Sequence, residues 1–102
     1  MSYELVFDKE MIRQLQELAR NKGIKDILVK MLDKIEVMGP RAGKLLDVRM
    51  GIYEVKAKSP PIRLYYRYIR GNNEIYIFEY NMKSSAKKQQ SIINRIRKLL
   101  KS

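Results

Sequence analysis

On either side of a proline break, apolar and polar side chains between Tyr53 and Ile69 alternate with period two, and this pattern restricts the fold more than any other feature of the chain. Tyr53, Val55 and Ala57 alternate with Glu54, Lys56 and Lys58. After Ser59-Pro60-Pro61, Ile62, Leu64, Tyr66 and Tyr68 alternate with Arg63, Tyr65, Arg67 and Ile69. Successive side chains of a strand point to opposite faces, so each run predicts a strand with one buried face, and the prolines end the first run. The turn Arg70-Gly71-Asn72-Asn73 leads into a further strand, Glu74 to Tyr80. Strands in succession with short connections predict an antiparallel meander.

Elsewhere the period changes. Tyr3, Leu5 and Phe7 alternate with Ser2, Glu4 and Val6, a short strand, and Asp8 then offers a helix N-cap. Ile12, Leu15, Leu18 and Ala19 predict an amphipathic helix from Lys9 to Lys22, ended at Gly23. Ile24, Ile27, Leu28, Met31, Leu32, Ile35 and Met38 keep a 3, 4, 3, 4 spacing up to Gly39-Pro40 and predict a second helix. With so short a turn between them the two helices form an antiparallel hairpin lying on the sheet, and their Met and Ile stripe reads as core. Arg41 to Met50 reads as a linker. Ile92, Ile93, Ile96, Leu99 and Leu100 mark a terminal helix, capped by Ser84 or Ser85, with Lys87, Lys88, Arg95, Lys98 and Lys101 over its remaining surface. The predicted order is βααβββα, an α+β fold with a curved antiparallel sheet, a helical hairpin packed on it and a basic C-terminal helix.

A length of 102 residues suits a single domain over 1–102. Twenty-two Lys and Arg against eleven Asp and Glu give a net charge of +11, which concentrates polyanions around the protein and makes nucleic acid the leading partner class. The same charge suits capture by a small acidic protein. With no Cys there is no disulfide or thiolate chemistry, and with no His the usual neutral-pH base and the commonest metal ligand are missing. Any catalysis then runs on Lys, Arg, Tyr, Ser or carboxylates, and neither a metal site nor a cofactor is expected. The amino terminus lacks the basic and apolar regions of a signal peptide, and no run approaches the length of a membrane span. The expectation is a cytoplasmic protein with no membrane partner.

Alternation also gathers charge. With Tyr53, Val55 and Ala57 against the helices, Glu54, Lys56 and Lys58 face the other way, together with Arg63, Tyr65 and Arg67 from the next strand. Lys56 or Lys58 then approaches Arg63 across the proline connection, and Lys83 arrives from the end of the third strand. Such cations repel one another unless an anion is bound. Arg offers phosphate a planar fork, Lys a point charge, and Tyr65 or Tyr80 a ring on which a base can stack. Glu54 beside Lys56 reads as an exposed cross-strand ion pair, with a carboxylate base as the alternative.

The run from Tyr53 to Tyr66, Tyr53-Glu54-Val55-Lys56-Ala57-Lys58-Ser59-Pro60-Pro61-Ile62-Arg63-Leu64-Tyr65-Tyr66, resembles the central strand pair of the RelE family of messenger-RNA interferase toxins and its HigB relatives, within the RelE/ParE superfamily. Pro40 with Gly43, Ile75 to Tyr80 followed by Lys83, and the basic terminal helix extend the likeness over nearly the whole chain. The resemblance implies a ribosome-dependent endoribonuclease that cuts messenger RNA at the decoding site, contacts ribosomal RNA, and is silenced by an acidic antitoxin. The attacking group in that family is the RNA 2′-hydroxyl. Carried over by position, Arg63 matches the phosphate-stabilising Arg, Lys56 a catalytic Lys and Lys58 a further basic position, with Lys83 in place of the missing Arg. Tyr65 joins this catalytic set as the alternative to Lys56 in deprotonating the 2′-hydroxyl, and Arg67, Lys87 and Lys88 join Lys58 as nucleic-acid-binding residues. Departures from the RelE pattern are Glu54 in place of a Lys, Ser84 in place of an Arg and Gln90 in place of a Tyr. The alternatives are a ParE-like topoisomerase inhibitor and a non-catalytic member that only binds nucleic acid.

Overall fold

A computed structural model of the chain describes residues 2–69, 71–82 and 86–101, the side chains of 86–88 and 101 excepted. The predicted α+β order holds, with one strand added. Strand β1 (Glu4–Phe7) leads to helix α1 (Lys9–Glu17), a 3-10 turn (Leu18–Arg20), helix α2 (Lys22–Met38) and a second 3-10 turn (Gly39–Ala42). Strands β2 (Lys44–Asp47), β3 (Ile52–Lys58), β4 (Pro61–Tyr68) and β5 (Glu74–Met82) follow, and helix α3 (Ala86–Lys101) comes last.

Side-chain caps fix where the helices begin. Asp8 accepts a hydrogen bond from the Glu10 amide at 2.9 Å, the predicted N-cap. The first helix stops at Glu17, not at Lys22, because Asn21 accepts from the Ile24 amide at 3.2 Å and starts α2 there. Gly23 therefore lies in the first turn of α2 and not at a helix end. Gly39 does end a helix, with φ +59° and the Tyr3 ring so close that a Cβ would sit 2.5 Å from it.

The sheet has five strands in the order β1-β5-β4-β3-β2. Strands β2 to β5 run antiparallel to their neighbours, as the meander requires, whereas β1 pairs parallel with β5, so the sheet is mixed. No tight hairpin joins β1 to β5, and the long connection leaves its direction open. Strand β2 falls within the predicted linker and extends the sheet at the opposite edge.

Each face of the sheet carries its own cover. Met11, Leu18, Leu28, Met31 and Ile35 of the hairpin pack on Val55, Ile62, Leu64, Tyr66, Ile75 and Ile77. Tyr3, Leu5 and Phe7 join them, as their alternation predicts. The Tyr66 hydroxyl donates to the Gly39 carbonyl at 3.0 Å and its ring stacks on Tyr53, so this core ties α2's end to the sheet. On the other face Ile92 and Ile96 of α3 cover Ile52, Tyr65 and Phe78. A bulge assists: the ladder pairs Tyr65 with Glu79 and Tyr66 with Ile77, passing over Phe78. Phe78 and Glu79, adjacent in sequence, both turn toward α3 as a result. No helix among the described residues is long and apolar enough to cross a membrane.

Candidate nucleic-acid interface

The Lys58↔Pro61 pair closes a two-residue connection, Ser59-Pro60, and so sets the register of everything behind it. Lys56 stands directly opposite Arg63. Val55, Ala57, Ile62 and Leu64 are turned to the hairpin core, which sends Lys56, Lys58 and Arg63 to the other face. With Ala57, Pro61 and Ile62 they line a cleft of about 400 Å³ at the β3–β4 connection. Lys56 and Lys58 are exposed, while the Arg63 side chain keeps 14% of its surface. The grouping that alternation predicts for these three residues is therefore present.

Glu54 is the feature that sequence reasoning misplaced. It is 3% exposed, not an open surface group, and its partner is Arg63 rather than Lys56. Glu54 faces Tyr65 in the ladder, two pairs away from Lys56↔Arg63 and next to it on the same face, so Arg63 reaches back diagonally and donates from Nη1 to Glu54 Oε2 at 3.2 Å. Gln89 of α3 donates from Nε2 to the same oxygen. One signal in the sequence pointed here. A terminal helix with Ile92, Ile93 and Ile96 on one side must bury them, and the hairpin already occupies the other face of the sheet.

Tyr65 is corrected by the same helix. It is fully buried between Ile52, Phe78, Ile92 and Ile96, and offers no open ring to a base. Burial first, and then the charge of Glu54, push its hydroxyl above the ordinary phenol range, with Arg63 and Asn81 pulling the other way. A phenol so placed keeps its proton at neutral pH. Tyr80, the alternative stacking ring, is partly buried against the hairpin core.

Arg67 is also elsewhere. It lies four residues along β4 from Arg63, about 13 Å at the rise of a strand, and its Nε donates to the Met50 carbonyl at 2.9 Å. It lines a separate cavity of about 420 Å³ with Val6, Ile69, Tyr76 and Leu100 among its walls. Of the other expected residues, Lys83 and Ser84 lie outside the described residues, as do the side chains of Lys87 and Lys88. Gln90 is exposed and donates to Asn94 at 3.1 Å.

The buried charged residues among those described are all acidic: Asp47, Glu54 and Glu79. All three meet α3, through Arg97 (Nε to Asp47 Oδ2, 2.6 Å), Gln89 and Arg95 respectively. Asp47 also accepts from the Met50 amide at 2.9 Å, and this bond, more than Arg97, holds its carboxyl below the usual range. Arg95 lies on the exposed surface of the helix, as expected, and reaches Glu79 from there. The face beneath α3 is thus anionic and apolar, whereas the cleft beside it presents Lys56, Lys58 and a half-buried Arg63. Chemically, the cleft offers a planar donor fork and two point charges to the oxygens of a phosphate.

No protein-family model matches the chain, and no curated protein matches it in sequence. Solved structures do. The isolated E. coli RelE toxin is 22% identical, with a TM-score of 0.64 covering 92% of this chain and 98% of that one. A double arginine-to-alanine variant of E. coli RelE in the free state is 23% identical, with a TM-score of 0.68 covering 94% and 99%. The toxin–antitoxin complex RelBE2 of Mycobacterium tuberculosis gives 20% identity and a TM-score of 0.64 over 83% of this chain and 95% of its counterpart. The hairpin on one side of the sheet, the basic helix on the other and the connection between β3 and β4 together make the RelE toxin fold, and this chain has it.

Proposed function

We propose that the protein is the toxin of a toxin–antitoxin pair, a ribosome-dependent endoribonuclease that binds messenger RNA along the Lys56–Arg63 cleft. One observation carries the reading: on a chain of charge +11, two lysines and an arginine meet across a register that holds them on one sheet face. Three cations gathered on one face are costly alone and favourable around a phosphodiester. In the reaction the RNA 2′-oxygen bonds to the adjacent phosphorus as the bond to the 5′-oxygen breaks. Arg63 stabilises the charge that grows on the phosphoryl oxygens, a role Lys83 shares; the Lys56 ammonium stabilises the 2′-oxyanion as its proton passes to water, and the departing 5′-oxygen takes a proton from water. Lys58 holds the neighbouring backbone, a binding role assigned to Lys87 and Lys88 as well. Tyr65, inside the protein, shapes the floor beneath Arg63.

The partner that silences the protein is an acidic antitoxin which orders itself on the toxin surface, in keeping with the charge and with the antitoxin in the RelBE2 complex. The protein acts in the cytoplasm, where ribosomes are.

The test is incubation with programmed ribosomes and mapping of new messenger ends. Cleavage is expected, and Arg63→Ala should lower its rate by about 10²-fold or more, the usual loss when a donor to developing charge is removed. An unchanged rate in that variant removes the cleft from the mechanism. A second reading, binding without cleavage, is favoured by the counter-ion that Arg63 already has in Glu54. Its signature is RNA binding that weakens with salt, with a log–log slope of about −2 for three contacts on single strands, and no products.

A further inference from the structure

Glu54 occupies an unusual place for a carboxylate: it is buried on a basic face, and it takes two donors on one oxygen from two different elements, Arg63 of β4 and Gln89 of α3. We propose that Glu54 is the positioning residue of the cleft, holding Arg63 in its phosphate-binding pose and coupling that pose to the seating of α3 through Gln89. The inference rests on the cleft being a phosphate site.

The ladder shows what Arg63 would do without it. Its direct neighbours are Lys56 across β3 and Asn81 across β5, so the nearest full charge in register is a like one. Repulsion from Lys56 and Lys58 would swing a free guanidinium out of the sheet into water. Glu54, two pairs back on the diagonal of the same face, reverses that preference and draws the guanidinium down onto the floor of the cleft. Arg63 gives up one Nη1 donor to do so and its Nε is buried, so the donors at the exposed tip of the guanidinium are the ones that serve a ligand. Because the Glu54 side chain is 2% exposed and that of Arg63 14%, the pair is held far more firmly than a surface ion pair, and removing one partner leaves the other charge stranded.

Gln89 contributes an amide where the rest of α3's contacts with buried carboxylates are arginines. An arginine at 89 would compete with Arg63 for the charge of Glu54. A neutral donor instead satisfies the same oxygen and leaves the ion pair to Arg63. Any shift of the first turns of α3 is then felt at Oε2, and through it at the guanidinium. Glu54 also lowers the local charge of the Lys56–Lys58–Arg63 group from +3 to +2, so the site is moderated as well as oriented.

Three variants of the full chain separate these roles. Glu54→Gln keeps an oxygen acceptor and nearly the same volume while removing the charge, Glu54→Ala removes both, and Gln89→Ala removes only the link to α3. The first readout is nuclear magnetic resonance of the Arg63 guanidinium, assigned with Arg63→Lys. Slow, resolved Nη protons are expected in the parent, partial averaging in Gln89→Ala, and free rotation in Glu54→Ala. The second is ribosome-dependent cleavage of messenger RNA: Glu54→Gln should lower kcat at least tenfold while KM stays level or falls, since the site gains positive charge. Arg63 equally ordered in all variants overturns the proposal. So does a Glu54→Gln protein that cuts faster as it binds tighter, which would make Glu54 a simple repulsive charge. If the parent cuts no RNA at all, the enzymatic reading fails while the resonance experiment still decides whether Glu54 orders Arg63.

Discussion

Replacing Ile96 by Ala asks how much of the molecule depends on α3. Ile96 is 1% exposed and packs among Ile52, Tyr65, Phe78 and Ile92. Truncating a buried Ile to Ala costs about 2–5 kcal/mol, with the spread set by how far the site can collapse. Here two walls of the cavity are the rings of Tyr65 and Phe78, held from below by strands β4 and β5, and rings on a sheet cannot relax inward as a flexible aliphatic chain would. The loss should therefore fall in the upper two thirds of the range, about 3–5 kcal/mol. Domains of this kind have about 5–15 kcal/mol in total. With a urea m-value of about 2 kcal/mol/M, the midpoint should drop by about 1.5–2.5 M. The control is Val37→Ala, on the exposed side of α2 at 67% exposure, expected to stay within about 0.5 kcal/mol of the parent. Urea unfolding followed by far-ultraviolet circular dichroism gives the midpoint, and amide exchange of residues 92–100 shows whether α3 is lost with the sheet or before it. Equal midpoints and equal α3 protection in the two variants would refute the packing of α3 on this face.

Two further outcomes follow from single contacts. A carboxyl held below its unfolded value contributes stability above about pH 4, the unfolded Asp range, and loses it as pH falls through the lower folded value; Asp47 is such a group. Asp47→Asn should therefore be less stable than the parent near neutrality and converge on it in thermal melts as the pH falls below the unfolded Asp range, and a constant difference at every pH would show that the charge is not what matters. At Gly43 a Cβ would sit 2.3 Å from the Glu54 carbonyl oxygen and 3.0 Å from the Tyr66 hydroxyl, so Gly43→Ala should destabilise by about 1–3 kcal/mol instead of giving the small gain usual for a Gly→Ala change; a raised melting temperature would contradict that approach.

What could be read in advance follows the range of each interaction. The hairpin and the β3–β4 pair are written in local periodicity, and the short connection at Ser59-Pro60 carries the Lys56↔Arg63 register with it. Strand β2 offers only Lys44-Leu45-Leu46-Asp47, too short to alternate, and it exists because β3 gives it an edge to pair with. The direction of β1 and the bulge at Phe78 depend on partners remote in sequence, so nothing local encodes them. Arg67 alternates in step with Arg63, yet the Met50 carbonyl takes its Nε and keeps it out of the cleft. The exposure of Glu54 and Tyr65 was misjudged for one shared reason: period two assigns a face, but whether that face is open depends on where a helix some thirty residues later finds its own burial.

That helix also explains how so basic a chain can hold a basic cleft without an opposing field nearby. The carboxylates Asp47, Glu54 and Glu79 lie on the same sheet face as Lys56, Lys58 and Arg63, where open carboxylates would repel a phosphate backbone. Roofing them with α3 removes them from solvent and sets Arg95, Arg97 and the Gln89 amide against them. Their attraction is then spent inside the protein and the lysines are left to face outward. Docking of α3 and the polarity of the cleft are consequently one property: lifting the helix would return negative charge to the face that carries Lys56 and Lys58, and it would release Arg63 at the same moment.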